Sequence, residues 1–126
     1  MYHLCLKDKF NASHFFLGVR SSDANMHGHT WRVEVLYESS ALDGMGEFPR
    51  RKDLRKGLTL TLMDLDFSCL NSILQGPEGK NEDNPTSENA ARWIYNKLKE
   101  EVKKTGVRLT TVIVSDAEDL WVSYSG

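Results

Sequence analysis

His27-Gly28-His29-Thr30-Trp31-Arg32-Val33-Glu34-Val35-Leu36-Tyr37 alternates with a period of two. His27, His29, Trp31, Val33, Val35 and Tyr37 fall on one face, opposed by Arg32 and Glu34. Successive side chains of a strand point to opposite sides, so the pattern is that of a half-buried β-strand. The same period runs through residues 2–14. There Tyr2, Leu4, Leu6, Phe10, Ala12 and His14 share a face, with Asp8 the single polar interruption, and Lys7, Lys9 and Asn11 take the other. Two such strands in succession predict an antiparallel pair joined by a loop over 15–26.

Downstream, Gly44, Gly46 and Pro49 mark 39–49 as a turn region. Residues 50–64 can be read two ways. Leu58-Thr59-Leu60-Thr61-Leu62 has strand character, and Gly57 weakens a helix by up to about 1 kcal/mol. Leu54, Leu58 and Leu62 nevertheless recur at helical spacing, which favours a helix. Residues 75–85 read as a second loop. Thr86 then caps a helix with Glu88 in its first turn; Ala90, Ala91, Ile94, Leu98 and Val102 form its apolar stripe, and Gly106 is its expected stop. Residues 107–115 and 120–124 predict two strands, with Asp116 to Asp119 as the turn between them. The order β-β-α-α-β-β predicts a single α+β domain over 1–126, a four-stranded antiparallel sheet with two helices on one face.

A chain of 126 residues is one domain's worth. Its 16 Lys+Arg against 18 Asp+Glu, a net charge of -2, argue against a duplex nucleic-acid binder. The 2 cysteines cannot build a disulfide framework or a Cys-rich zinc site. Cys5 is expected as a small core residue and Cys69 as a buried or partly buried one. No apolar run approaches the roughly 18 residues of a membrane span. The N-terminal stretch lacks a basic flank and a small-residue cleavage site, so no signal peptide is expected and the cytoplasm is the expected location.

Three of the 4 histidines carry the sharpest chemical signal. His27 and His29 are two apart on a strand, so both imidazoles project from one face. His14 ends the preceding strand on its apolar face. Pairing of the two strands would bring three neutral nitrogens together with a fourth position open, the layout of a catalytic zinc site. An isolated His-x-His pair is more often held by ordinary hydrogen bonds; His14 tips the reading toward metal. The acidic residues are less decided. Asp64 and Asp66 fit helix termination and turn chemistry. Asp116, Glu118 and Asp119 fit a solvated turn, or a carboxylate accepting two N–H donors from a heterocycle. Asp23 fits a surface loop, or a general base beside a metal.

Four blocks in order resemble the 6-pyruvoyltetrahydropterin synthase and 6-carboxytetrahydropterin synthase family. They are Phe10-Asn11-Ala12-Ser13-His14, His27-Gly28-His29-Thr30-Trp31, Leu65-Asp66-Phe67-Ser68-Cys69-Leu70-Asn71 and Asn84-Pro85-Thr86-Ser87-Glu88-Asn89-Ala90. The resemblance covers essentially the whole chain. It implies the tunnelling or T-fold, trimeric barrels that usually stack into hexamers, and active sites between subunits. It also implies zinc on His14, His27 and His29, acting as a Lewis acid on the side-chain oxygens of dihydroneopterin triphosphate or a relative.

The catalytic set departs from the resemblance. The family's cysteine four residues before His-Gly-His is Asp23 here, a base of lower reference pKa, about 3.9 against about 8.5. The histidine of the family's Leu-Asp-His element is Phe67, which carries no proton. The pterin-anchoring glutamate is Asp116, which keeps two acceptor oxygens at a shorter reach. Arg50 and Arg51 stand about where the family has an Asp-Phe pair. What is implied is a divergent zinc lyase of a reduced pterin, with Asp23 as base and Asp66 as supporting acid or base. Asp116 would anchor the pterin, with Glu118 able to compensate for its reach; Phe67 and Thr86 would be further substrate-binding positions. A non-catalytic pterin- or purine-binding zinc protein, and an aldolase-like variant that cleaves the side chain with Asp23, are the alternatives. Some relatives with glutamate at this position are of the side-chain-cleaving kind.

Overall fold

The computed structural model describes residues 1–103 and 105–126. The two alternating stretches form β1 (Tyr2–His14) and β2 (His27–Ser39), paired antiparallel from Tyr2–Ser39 to His14–His27. The connection is the 15–26 loop, which contains one 3-10 turn at Ser22–Ala24.

The ambiguous segment is a helix, α1 (Arg51–Met63). Leu54, Leu58 and Leu62 are buried along one stripe of it, so burial of the stripe prevails over the weak propensity of Gly57. A β-carbon at that glycine would meet the Glu101 carboxylate, which would have to swing aside. After α1 come β3 (Ser68–Cys69), the single turn α2 (Asn71–Leu74) and then α3 (Ser87–Val102). Thr86 caps α3 as expected, its side chain accepting from the Asn89 N–H at 3.1 Å. β4 (Arg108–Ala117) and β5 (Leu120–Tyr124) close the chain as a hairpin.

The sheet order is β3-β1-β2-β4-β5. It has five strands, and it is mixed, where four antiparallel strands are expected. The extra strand, β3, runs parallel to β1 through two residue pairs, Ala12–Ser68 and Ser13–Cys69. Two residues carry no periodicity, so pattern cannot reveal them. Two further expectations are corrected. The last long helix stops at Val102, before Gly106, which instead takes φ 79 in the connection to β4. Cys5 is exposed: it occupies an odd position of β1, with Lys7 and Lys9, and the parity of the strand outweighs the general tendency of cysteine to be buried.

One core joins the helices to one face of the sheet. Phe10, Trp31, Val33, Val35, Tyr37, Val112 and Val114 meet Leu54, Leu58, Leu62, Ala90, Ala91, Ile94 and Leu98 there. Full burial of each large side chain stabilises by about 1.5–3 kcal/mol relative to exposure. The even positions of β1 and the odd positions of β2 face this core, so His14, His27 and His29 continue the core face at its open end. Among the described residues no helix is long and apolar enough to cross a membrane.

Candidate metal and active site

The register of β1 and β2 assembles the histidines. His14 pairs with His27, and Ala12 pairs with His29 one step further along the same face. The three ring centroids lie 4.5, 4.9 and 4.9 Å apart, and one nitrogen from each ring can be chosen so that all lie within 4.8 Å of one another. Trp31 forms the floor: its ring meets those of His14 at 4.9 Å and His29 at 5.8 Å. Its Nε1 donates to the Ala12 carbonyl at 3.1 Å, so the floor is itself fixed to β1.

Backbone carbonyls orient two of the rings. His14 Nδ1 lies 2.8 Å from the Pro85 oxygen, and His27 Nδ1 lies 2.7 Å from the Asn25 oxygen. A carbonyl can only accept, so each Nδ1 carries the proton and each Nε2 presents its lone pair. His14 is 1% exposed, and its Nε2 is buried without a hydrogen-bond partner. Burial pushes its pKa down, the Pro85 carbonyl opposes this, and the neighbouring His27 and His29 push it further down. Asp116 acts in the opposite direction. A neutral ring with a buried lone pair aimed at two other imidazoles fits a metal ion: an unpaired buried polar atom is unfavourable, and coordination satisfies it.

A cavity of about 370 Å³ opens over the triad, lined also by Phe16, Ser22, Asp23 and Asp116. Asp23 reaches it from the 3-10 turn, which is held at both ends. Ser21 Oγ accepts from the Asp23 N–H at 3.3 Å, and the Asp23 carbonyl accepts from the Phe16 N–H at 2.7 Å. Asp116 reaches it from β4, one residue beyond the Arg32–Ser115 pair and inside the irregularity between Val114 and Ala117. Irregularities of this kind re-aim side chains.

The other candidates lie outside this cavity within the chain. Asp66 accepts from the Asn11 N–H at 2.8 Å and so clamps the edge of β1. Phe67 donates its own N–H to the Asn11 carbonyl at 2.6 Å, with φ 56 and 85% of its surface exposed, so it fills no interior space. Thr86 is engaged in capping α3. Glu118 is exposed in the β4–β5 turn, and its carbonyl accepts from Trp121 Nε1 at 3.4 Å.

Two buried asparagines complete the site without any metal-ligating character of their own. Asn71 takes both backbone groups of Phe15, accepting from its N–H at 3.0 Å and donating to its carbonyl at 2.8 Å. Asn84 does the same for Leu17, at 2.8 and 2.9 Å. The side-chain amides thus act as a short substitute strand for the chain leaving His14. They also fix the backbone at Pro85, whose carbonyl orients that histidine. The signal for this was the placement of both residues in the quoted blocks; a side chain's choice of backbone partner cannot be read from spacing.

The chain matches the 6-pyruvoyl tetrahydropterin synthase family over residues 3–126. It is 30% identical to a 6-carboxy-5,6,7,8-tetrahydropterin synthase of Haemophilus influenzae, an alignment covering 86% of this chain and 92% of that one. It is 33% identical over 75 residues to a dihydroneopterin monophosphate aldolase of Pyrococcus furiosus, covering 59% of this chain and 56% of the relative. Among solved structures, the 6-pyruvoyl tetrahydropterin synthase of Caenorhabditis elegans superposes with a TM-score of 0.79 at 21% identity, covering 99% of this chain and 95% of that one. The Plasmodium vivax 6-pyruvoyltetrahydropterin synthase, as a variant with a catalytic glutamate replaced by alanine, gives 0.73 at 19%, covering 98% and 96%. The order of strands and helices, the histidines at the end of the β1–β2 pair and a family match over nearly every residue lead to one conclusion: this chain belongs to the 6-pyruvoyl tetrahydropterin synthase family.

Proposed function

We propose that the chain is a zinc-dependent lyase of a phosphorylated dihydropterin, dihydroneopterin triphosphate or a close relative. The observation that carries this reading is the unpartnered, buried Nε2 of His14 facing His27 and His29 beneath a cavity that also holds two carboxylates. His14, His27 and His29 would hold the ion, which when bound supplies Lewis acidity toward oxygens of the substrate side chain. Asp23 would then accept the proton from that side chain. It lines the cavity and offers carboxylate oxygens as proton acceptors. Asp116 would accept the paired N–H donors of the pterin ring. It lines the same cavity as Asp23 but comes from a different element, β4, which suits a substrate held by its ring and worked on at its chain.

The side-chain-cleaving variant of this activity is favoured by a specific observation. The base position is a carboxylate that lines the cavity, and Phe67 offers no second proton carrier. The similarity to the Pyrococcus furiosus aldolase supports the same variant.

The proposal includes a homo-oligomer, trimer or hexamer. Among the described residues, strand pairing on the outer edge of β1 is confined to Ala12 and Ser13, with Asn11 held by Asp66 and Phe67, and β5 is the last strand on the other side. Open edges of this kind can pair with a second copy. Asp66 and Phe67 are clamped beside the open edge of β1, where a neighbouring copy would receive them and where they would take part in catalysis and substrate binding. Zinc-reconstituted protein incubated with dihydroneopterin triphosphate and with the monophosphate, with products separated by chromatography, tests the reading. A new reduced pterin is expected; no turnover at full zinc occupancy overturns it.

A further inference from the structure

We propose that the sheet face turned away from the helices carries a second binding site, formed by Lys9, Arg32 and Trp121, for a triphosphate borne on a planar heterocycle. Lys9 and Arg32 stand directly opposite each other in the β1–β2 register. Like charges in that relation destabilise a sheet. The other charged side chains of this face are matched. Lys7 meets Glu34 at 3.1 Å, and Glu38 receives His3 at 3.7 Å and Arg108 at 3.3 Å. Among the described residues, Lys9 and Arg32 alone on this face have no carboxylate partner, in a chain whose net charge is -2.

A concavity of about 520 Å³ lies over them, lined also by Lys7, Asp8, Val33, Glu34 and Trp121, with the Asp8 carboxylate paired to Arg55 at 3.6 Å. Trp121 is 43% exposed there, and its Nε1 is turned to the Glu118 carbonyl. Two unmatched cations suit phosphate oxygens, through charge-assisted hydrogen bonds. An exposed indole face suits a flat ring. Strand parity separates this site from the histidine cavity: Lys9 is at an odd position of β1 and His14 at an even one, on opposite faces. The inference therefore stands or falls independently of the lyase reading.

Calorimetric titration of the zinc-reconstituted protein with ATP, GTP and inorganic triphosphate tests it. Saturable binding of ATP or GTP is expected, and the tighter of the two identifies the ring the site prefers. Lys9→Glu should weaken all three by about tenfold or more. The same variant should raise the melting temperature, because the introduced carboxylate would attract Arg32, so loss of binding cannot be laid to misfolding. Trp121→Leu should weaken the two heterocyclic ligands and spare inorganic triphosphate. His29→Ala should leave the ATP affinity unchanged. Absence of saturable binding, indifference to Lys9→Glu, or loss of ATP binding in His29→Ala overturns the site.

Discussion

His14 Nδ1 and the Pro85 carbonyl are 2.8 Å apart, across 71 residues of sequence. This bond selects the tautomer of a histidine whose other nitrogen is buried and unpartnered. It ties the candidate metal site to the loop before α3, and through Asn84 to the chain leaving β1.

Asn84→Ala should reveal that tie. It leaves the N–H and carbonyl of Leu17 without their partner, which destabilises by about 1–3 kcal/mol for a buried polar group. Because Pro85 loses its anchor, zinc affinity should fall by about 10–100-fold as well. Urea denaturation of the metal-free protein and a competitive zinc titration measure the two effects. Unchanged zinc affinity would show that Pro85 is positioned by something else.

Asp23→Asn keeps the shape of the side chain and removes its basicity. Turnover of dihydroneopterin triphosphate should fall by about 10²–10⁴-fold while zinc stoichiometry stays the same. Steady-state rates set beside metal analysis separate these, and a variant that keeps full activity would remove Asp23 from the mechanism.

Phe67 adopts φ 56 with 85% of its surface exposed. A left-handed conformation costs a side-chain-bearing residue about 1–2 kcal/mol, and glycine avoids it with some loss of chain entropy. Phe67→Gly should therefore stabilise the isolated chain by up to about 1 kcal/mol, read as a higher urea midpoint. The same change should weaken pterin binding if the ring serves a neighbouring copy's site, which a KM measurement reads.

Tyr37 is buried at 1% exposure, and burial, followed by the charge of Glu101, pushes its hydroxyl well above the ordinary value of about 10. Above about pH 10 the unfolded chain loses this proton while the folded chain keeps it, so the folded state binds more protons and stability falls as pH rises. The contribution is fully present below about pH 10 and declines by up to about 1.4 kcal/mol per pH unit above it. Alkaline denaturation of the wild type and Tyr37→Phe should differ by this slope; parallel curves would contradict the assignment.

Much of the architecture was legible because β1 and β2 each alternate over more than ten residues, and parity alone placed His14, His27 and His29 on one face. The α1 segment required the leucine stripe to be weighed against Gly57, and the stripe prevailed. Cys5 departs from its expected burial because the parity of its strand outweighs the general preference of the residue. β3 is too short to have a period. The roles of Asn71 and Asn84 depend on which backbone groups are left unpaired after the chain has folded, which no local pattern contains. Asp66 and Phe67 are legible as a motif, but their positions follow from both being clamped on Asn11 rather than from their own segment.

The measurement closest to the central claim is zinc content after chelation and reconstitution, for the wild type and for His14→Gln, His27→Gln and His29→Gln, with folding checked by circular dichroism. The account predicts one zinc per chain in the wild type and a loss of stoichiometric zinc in each folded variant. A wild type that retains no zinc, or a histidine variant that retains it in full, would contradict the account.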